Sequence, residues 1–344
     1  MIGNQPLIVS YGAGRDSTAM LIEMHRRGIR PDVILFANVG SEKQATYRFI
    51  PVFDQWLKDH GFPGITIVAY RPKWAPYHTL EGNMILNATL PGATFNMHTC
   101  AVKFKIEPQQ RWTGHWGPAR RAWSRGIKVL KYIGFDCDET HRLKDADAKA
   151  HSGEADPKEQ ERFEHHMPLM EWGINLEKCK EIIDAAGLPI PPKSACFFCP
   201  SQKPQEVNDA EPEDRARTIL MEYAAEPYNR KVRGLWRRPR LSDGRPGSIT
   251  EYILERRLPF TPLTLLGRQI VLNPNCQKAR KGSTFRGPHM GPSLRELLVA
   301  AGHEVPEVVM DGNSNVPAYR EDRRGVELSA EDEDEEHRTL FSSL

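Results

Sequence analysis

Apolar residues along the first part of the chain fall into two alternating patterns. "PLIV", directly ahead of Ser10, is a short continuous apolar run that breaks at Gly12, as a buried strand does. "DSTAMLIEMHRRG" follows, with Met20, Leu21 and Met24 at helical spacing and Gly28 as its stop. "DVILFANVG" is a second near-continuous apolar run, the pattern of a parallel strand covered on both faces. "TYRFIPVFDQWLKDHG" predicts a second helix ending at Gly61, and "ITIVAY" and "KVLKYIGF" predict two further strands. Strand, helix, strand, helix, strand implies right-handed crossovers and an α/β fold with a doubly wound parallel sheet.

The later patterning is weaker. Residues Leu80 to Trp116 read as irregular, and the polar stretch 145–166 reads as a loop or lid. "NLEKCKEIIDAAG" is an amphipathic helix that leads into the loop "LPIPPKSACFFCPSQKP", and from about Gln202 the pattern turns mainly helical. No internal repeat is visible. These shifts suggest a nucleotide-binding-type domain over 1–205, a helical, basic extension over 206–320 and a disordered acidic tail over 321–344. The net charge of +2 hides this asymmetry: the tail carries nine Asp/Glu against three Lys/Arg, which leaves about +8 on the rest. With 39% hydrophobic and 27% charged residues, the 344-residue composition is that of a soluble protein. No apolar run approaches the roughly 20 residues of a membrane span, and the N-terminus shows no secretory features. A cytoplasmic, reducing setting without a membrane partner is expected. There, six cysteines point to metal or catalysis and not to a disulfide scaffold.

"SYGAGRDST" (Ser10 to Thr18) sits where the first strand meets its helix. Ligands of open parallel sheets bind beyond such strand ends. Gly12, Ala13 and Gly14 permit a tight turn, and Ser17 and Thr18 add hydroxyls at a helix N-terminus, where the dipole favours an anion. The loop has neither the G-x-x-x-x-G-K-[ST] nor the G-x-G-x-x-G pattern. It does resemble the S-G-G-x-D-S loop of the PP-loop ATP pyrophosphatases, with Gly12 for Ser, Ala13 for Gly, and Gly14, Asp16 and Ser17 in place.

Three later segments extend the likeness to the phosphoadenosine-phosphosulfate (PAPS) reductase-like branch of that superfamily. "FANVGSEKQATY" resembles F-x-D-T-G-x-E-x-x-x-T-Y, with Phe36, Gly40, Glu42, Thr46 and Tyr47 matching and Asn38 and Val39 differing. Cys100, Lys105 and Pro108 are similar to the C-x4-K-I-x-P segment of the sulfurtransferase component of DNA phosphorothioation systems. "GFDCDETHR" resembles G-x-R-x-x-E-S-x-x-R through Gly134, Glu139 and Arg142, and Trp172 and Pro189 match a further stretch leading to the cysteine loop.

The resemblance implies an adenine-nucleotide α-hydrolase-like fold and an enzyme. ATP would be split into pyrophosphate and AMP on an acceptor, with Mg²⁺ at the phosphates and coupling to sulfur transfer. It implies Arg15, Asp16, Ser17, Lys105 and Arg142 as catalytic groups. Ser10, Gly12, Ala13, Gly14, Ser17, Thr18, Phe36, Asn38, Gly40, Glu42, Gly134 and Glu139 would line the nucleotide. Cys196-Phe-Phe-Cys199 cannot by itself complete a four-coordinate site. The resemblance adds Cys100, and Cys276 sits in a loop of turn composition. A [4Fe–4S] cluster, a structural Zn²⁺ and a metal-free redox pair are the three accounts of these cysteines. Cys179, on one helix face, reads as a buried small hydrophobe.

The implied partners are an adenine nucleotide, DNA or tRNA as acceptor, and a cysteine desulfurase or another sulfur donor. "RKVRGLWRRPRLSDGRPG" and "CQKARKGSTFRGPHMG" combine Lys/Arg with aromatics, either as a nucleic-acid surface or as a solvated face with local ion pairs. Two other functions compete. A PAPS reductase usually carries a C-terminal Glu-Cys-Gly-Leu-His segment, and this sequence has none. A nucleotide-binding regulator or scaffold without turnover fits the altered positions Gly12, Ala13 and Asn38.

Overall fold

Side-chain alternation along β1 (Leu7–Tyr11) sets the layers of the sheet. The computed structural model describes residues 5–71, 77–95, 97, 99–139, 157–229, 232–272 and 292–309. Arg142, Cys276, "CQKARKGSTFRGPHMG" and the acidic tail lie outside the described residues, as does the side chain of Glu139.

Leu7, Val9 and Tyr11 face the layer formed by α1 (Arg15–Arg26), α2 (Gln44–Asp59) and the helix Leu176–Asp184. Ile8 faces the opposite layer, covered by α5 (Glu107–His115) and α6 (Gly117–Trp123); α3 (Leu80–Leu86) and the short turn α4 (Thr99–Ala101) belong elsewhere. Burying Met20, Leu21, Ile22 and Met24 fixes α1 to the sheet, each fully buried side chain contributing roughly 1.5–3 kcal/mol. The five-stranded sheet has the order β3-β2-β1-β4-β5, with β2 Val33–Asn38, β3 Ile65–Ala69, β4 Val129–Ile133 and β5 Phe163–His166. Every pairing is parallel. The strand order reverses between β1 and β4, which makes that edge the switch point of a doubly wound α/β sheet.

Two expectations meet a different structure. The polar stretch 145–166 ends in β5, an edge strand in which only Phe163 is buried. One core-facing residue leaves no alternation to detect. The supposedly irregular 80–116 contains α3, α4, a π-helical turn Val102–Ile106 and α5. Thr79 caps α3 by accepting from the Gly82 N–H.

The chain separates into two compact units. The first holds Met1–Asn38, Ala45–Ala69 and Ile106–Ser194. The second gathers Val39–Gln44, Tyr70–Lys105 and the chain from Ala195, so segments placed by sequence within 1–205 pack with the C-terminal part. Its core surrounds the helix Pro212–Ala225, which is buried on every side from Asp214 to Ala225. Such a helix must satisfy its polar groups internally. Arg215 donates to the carbonyls of Val207, Asn208 and Pro259, and Arg217 meets Glu81 at 3.3 Å. Among the described residues no helix is long and apolar enough to cross a membrane.

Candidate functional site

In the first unit, β1 ends in a loop that the chain tightens with its own atoms. The Gly12 N–H donates to Ser17 Oγ at 3.2 Å, and Ser17 Oγ donates to the Gly14 carbonyl at 3.3 Å. Gly14 is the N-cap of α1 and offers no side chain to its first amides. Gly134, at the end of β4, lies against this turn: a Cβ there would stand 2.7 Å from Ser17 Cα and 2.8 Å from Ser17 N. The match at Gly134 thus has a steric cause, since only glycine lets the two strand ends meet at the switch point.

Ala13 holds φ +55°, a left-handed conformation, where the resembling motif has glycine. The cost for a non-glycine residue is roughly 1–2 kcal/mol. Ser194 was not singled out by sequence. A Cβ on Gly14 would meet Ser194 Cβ at 2.9 Å, and a Cβ on Gly12 would lie 3.6 Å from Ser194 Oγ. Position 12 holds glycine where the resembling motif has serine, and a distant segment brings a hydroxyl beside the space a side chain there would fill. No local signal could reveal this, because residues 12 and 194 meet only through folding.

Other expected residues divide between lining and packing. Arg15 opens α1, half-buried, with no ion pair among the described residues. Asp16 stands in the same first turn. Thr18 is fully buried and its hydroxyl faces Tyr11 Oη at 3.3 Å, so it serves the core and not the loop. Ser10 Oγ donates to Gln109 at 2.7 Å. Phe36 is buried beside Tyr11, ring centroids 6.4 Å apart, as a core residue. Asn38 is buried at the end of β2 and accepts from Tyr47 Oη at 2.9 Å. Burial, reinforced by Asp16, Asp136 and Cys137, pushes the Cys179 thiol up to about 12, which suits a packing role.

The second unit gathers a different set. Gly40 has φ +67°, and a Cβ there would fall 2.3 Å from Thr79 Cγ2, so its close approach is to the cap of α3. Glu42 is 1% exposed and its Oε1 receives Lys105 Nζ at 3.1 Å. That carboxylate raises the Lys105 ammonium above its ordinary range against the opposing pull of desolvation. Lys105 therefore neutralises a buried acid of its own protein. The backbone of Glu42 bridges that of Cys196, and the Phe197 N–H donates to the Ser41 carbonyl at 3.1 Å. Cys199 N–H donates to the Cys196 carbonyl at 3.0 Å, closing the C-x-x-C turn. Burial first, then Glu42, drive the Cys196 thiol well above its ordinary range, and Lys105 opposes them. Cys100 and Cys199 are half-buried.

Cys276 lies outside the described residues, so only Cys100, Cys196 and Cys199 of the expected ligands are described. Among the described residues no group of three His, Cys, Asp or Glu side chains is arranged to hold a metal ion. Cys196 lies within electrostatic reach of Cys199 and Cys100. In the basic segment, Arg233 pairs with Glu226 and Glu251, Arg245 pairs with Asp243, and Trp236 is 6% exposed. Arg237, Arg238 and Arg240 of that stretch are exposed, so among the described residues it is partly paired and partly open.

These features define a doubly wound α/β domain with an anion-receptive turn at its switch point, joined in sequence to a helical, cysteine-bearing unit. No protein family and no curated protein matches the chain. Among solved structures it is similar to the U34-tRNA thiolase NcsA from Methanococcus maripaludis with its [4Fe–4S] cluster, at TM-score 0.36 and 15% identity over 56% of this chain and 60% of that one. The chain thus spans less than two thirds of that thiolase, and a likeness this slight transfers no residue role.

Proposed function

We propose that the protein is an ATP pyrophosphatase of the PAPS reductase-like kind, which activates a nucleic acid with AMP for sulfur transfer. One observation carries this reading: the bare N-terminus of α1, with Ser17 and Ser194 beside it, abuts Gly134 where the strand order reverses. Backbone amides and hydroxyls at that point suit nucleotide phosphates. An acceptor oxygen attacks the α-phosphorus, and the bond to the β-phosphate bridging oxygen breaks to release pyrophosphate. Sulfide-level sulfur, as hydrosulfide or as a cysteine desulfurase's persulfide reduced by a thiol, then displaces AMP: the acceptor's bond to sulfur forms as its bond to the AMP oxygen breaks. The loop amides, Ser17 and Arg15 stabilise charge developing on the phosphates. Arg142 is the proposed further clamp, and Asp16 orients the first turn. Lys105 is a positioning residue that holds Glu42. Cys100 and Cys199, which are half-buried where Cys196 is buried, are the thiols proposed to handle sulfur.

The test follows both halves of ATP with and without DNA or tRNA. AMP and pyrophosphate in equal amounts are expected, stimulated by the true acceptor. ADP with orthophosphate would overturn the reading, and tight ATP binding with no product would favour a non-catalytic regulator. Sulfite formed from PAPS and a thiol reductant would favour the reductase.

A further inference from the structure

Between Glu107 and Asp136 the chain has no Asp or Glu, yet it carries six Lys/Arg and three of its seven tryptophans. This stretch forms α5, α6 and the approach to β4 within the first unit. Arg111, Arg120, Arg121, Arg125 and Lys128 are exposed, and His115 stands beside them. None of the five cations forms an ion pair among the described residues; the sixth, Lys131, is buried and meets Glu159 at 3.5 Å. Trp112, Trp116 and Trp123 pack partly on the sheet and remain partly exposed. The Trp112 and Trp116 rings stack with centroids 5.9 Å apart, and the Arg162 guanidinium lies 4.9 Å over Trp123.

Soluble surfaces usually intersperse charges of both signs. A single-sign cluster repels itself until an anion covers it. The basic segment 233–247 differs: Arg237, Arg238 and Arg240 are exposed there too, but Arg233 and Arg245 are paired and its tryptophan is buried, so the segment sets no exposed aromatic beside those cations. Unpaired guanidinium groups that track a phosphate backbone, with indole faces on which bases stack, are the means by which single-stranded nucleic acid is held; here Trp112 and Trp116 are the indoles left for stacking, since Arg162 covers Trp123. We infer that the α5–α6 face binds a single-stranded or looped nucleic acid. The inference deepens the proposed function, on which it rests only for what the bound strand is there to do.

The test measures binding of a labelled single-stranded oligonucleotide, as DNA and as RNA, by anisotropy across a salt series. The charge-reversed R120E/R121E should bind about tenfold more weakly, with a salt slope shallower by about 0.7 for each phosphate no longer neutralised. R120K/R121K should retain binding. R26E/R27E makes the same change of net charge at arginines paired with Glu23, and should bind as the parent does. Should R120E/R121E fail to melt cooperatively, R125E/K128E on the same face gives the same readout. Unchanged affinity and slope in these variants would overturn the inference. So would an equal loss in R26E/R27E, or binding to phosphatidylserine vesicles without binding to the oligonucleotide. Arginine-dependent oligonucleotide binding without ATP cleavage would leave this surface standing and remove the proposed chemistry. ATP cleavage with binding indifferent to these arginines would do the reverse.

Discussion

Two helix N-termini in this protein solve the same electrostatic problem in opposite ways. The helix Ile249–Glu255 begins over the buried carboxylate of Glu222. That carboxylate accepts from the N–H groups of Leu235, Ile249 and Thr250 and from the hydroxyls of Ser248 and Thr250, at 2.6–3.0 Å. Gly234 makes room for it, since a Cβ there would lie 2.4 Å from Glu222 Oε1. Helix α1 begins at Gly14 with no side-chain cap, hydroxyls around its turn and Gly134 pressed against it. Orphan amides with a positive dipole end attract an anion in both places. In the second unit the anion belongs to the chain and yields stability. At α1 no side chain caps the terminus, the first turn carries only the helix's own Asp16, and the turn is suited to an anion from outside.

The largest effect tests the filled terminus. Glu222→Ala strips five donors of their acceptor and is expected to cost at least about 3–5 kcal/mol, read as loss of cooperative unfolding of the second unit. Survival of that transition would mean the carboxylate is not what holds this terminus. Asp214 is the counter-case on the same helix: a buried acid whose Oδ1 has no hydrogen-bond partner among the described residues. Burial, with Glu211 and Glu213, raises its carboxyl to about 7 against the Gln44 backbone bond and Arg217. The folded state then keeps a proton that the unfolded chain releases near pH 4, so stability falls as pH rises from about 4 to about 7. Asp214→Asn should therefore raise the stability measured by chemical denaturation at pH 8, by roughly 1–4 kcal/mol, and change little at pH 4.

The remaining effects fall on the open terminus. Gly134→Ala puts a Cβ into the backbone of Ser17 and should cost about 1–3 kcal/mol, with nucleotide affinity falling alongside in calorimetric titration. Ser194→Ala should leave melting unchanged and weaken ATP binding by about three- to tenfold. A loss of stability without loss of affinity would make Ser194 a packing residue only. Ala13→Gly is the smallest change. Relief of the left-handed alanine and loss of its buried methyl roughly cancel, so stability should move by about 0.5 kcal/mol or less, with ATP affinity kept.

Four strands, α1 and α2 were legible because their apolar patterns are long and face a buried layer. β5 was hidden, with Phe163 alone facing the core. The short helices within 80–116 were masked by Gly, Asn and Thr, whose placement makes sense only with caps such as Thr79. At the site, Gly134 and the 12–17 turn carried a readable motif, whereas Phe36, which matched the second segment, and Thr18, expected to offer a hydroxyl to the loop, turn into the core. Ser194 and Glu222 carry no local mark: one is a serine in a proline-rich loop, the other a glutamate in an apolar helix. Their roles come from contacts made across long stretches of chain. The acid-free run 108–135 was visible in the letters, but only the exposure of its arginines separates a binding face from a paired one.

Hydrogen–deuterium exchange with and without ATP tests the contrast between the two termini most directly. ATP should slow exchange across residues 12–18 and leave 248–251 unchanged, because Glu222 already occupies that terminus. Unaltered exchange at 12–18 under saturating ATP, or protection confined to other segments, would contradict the account.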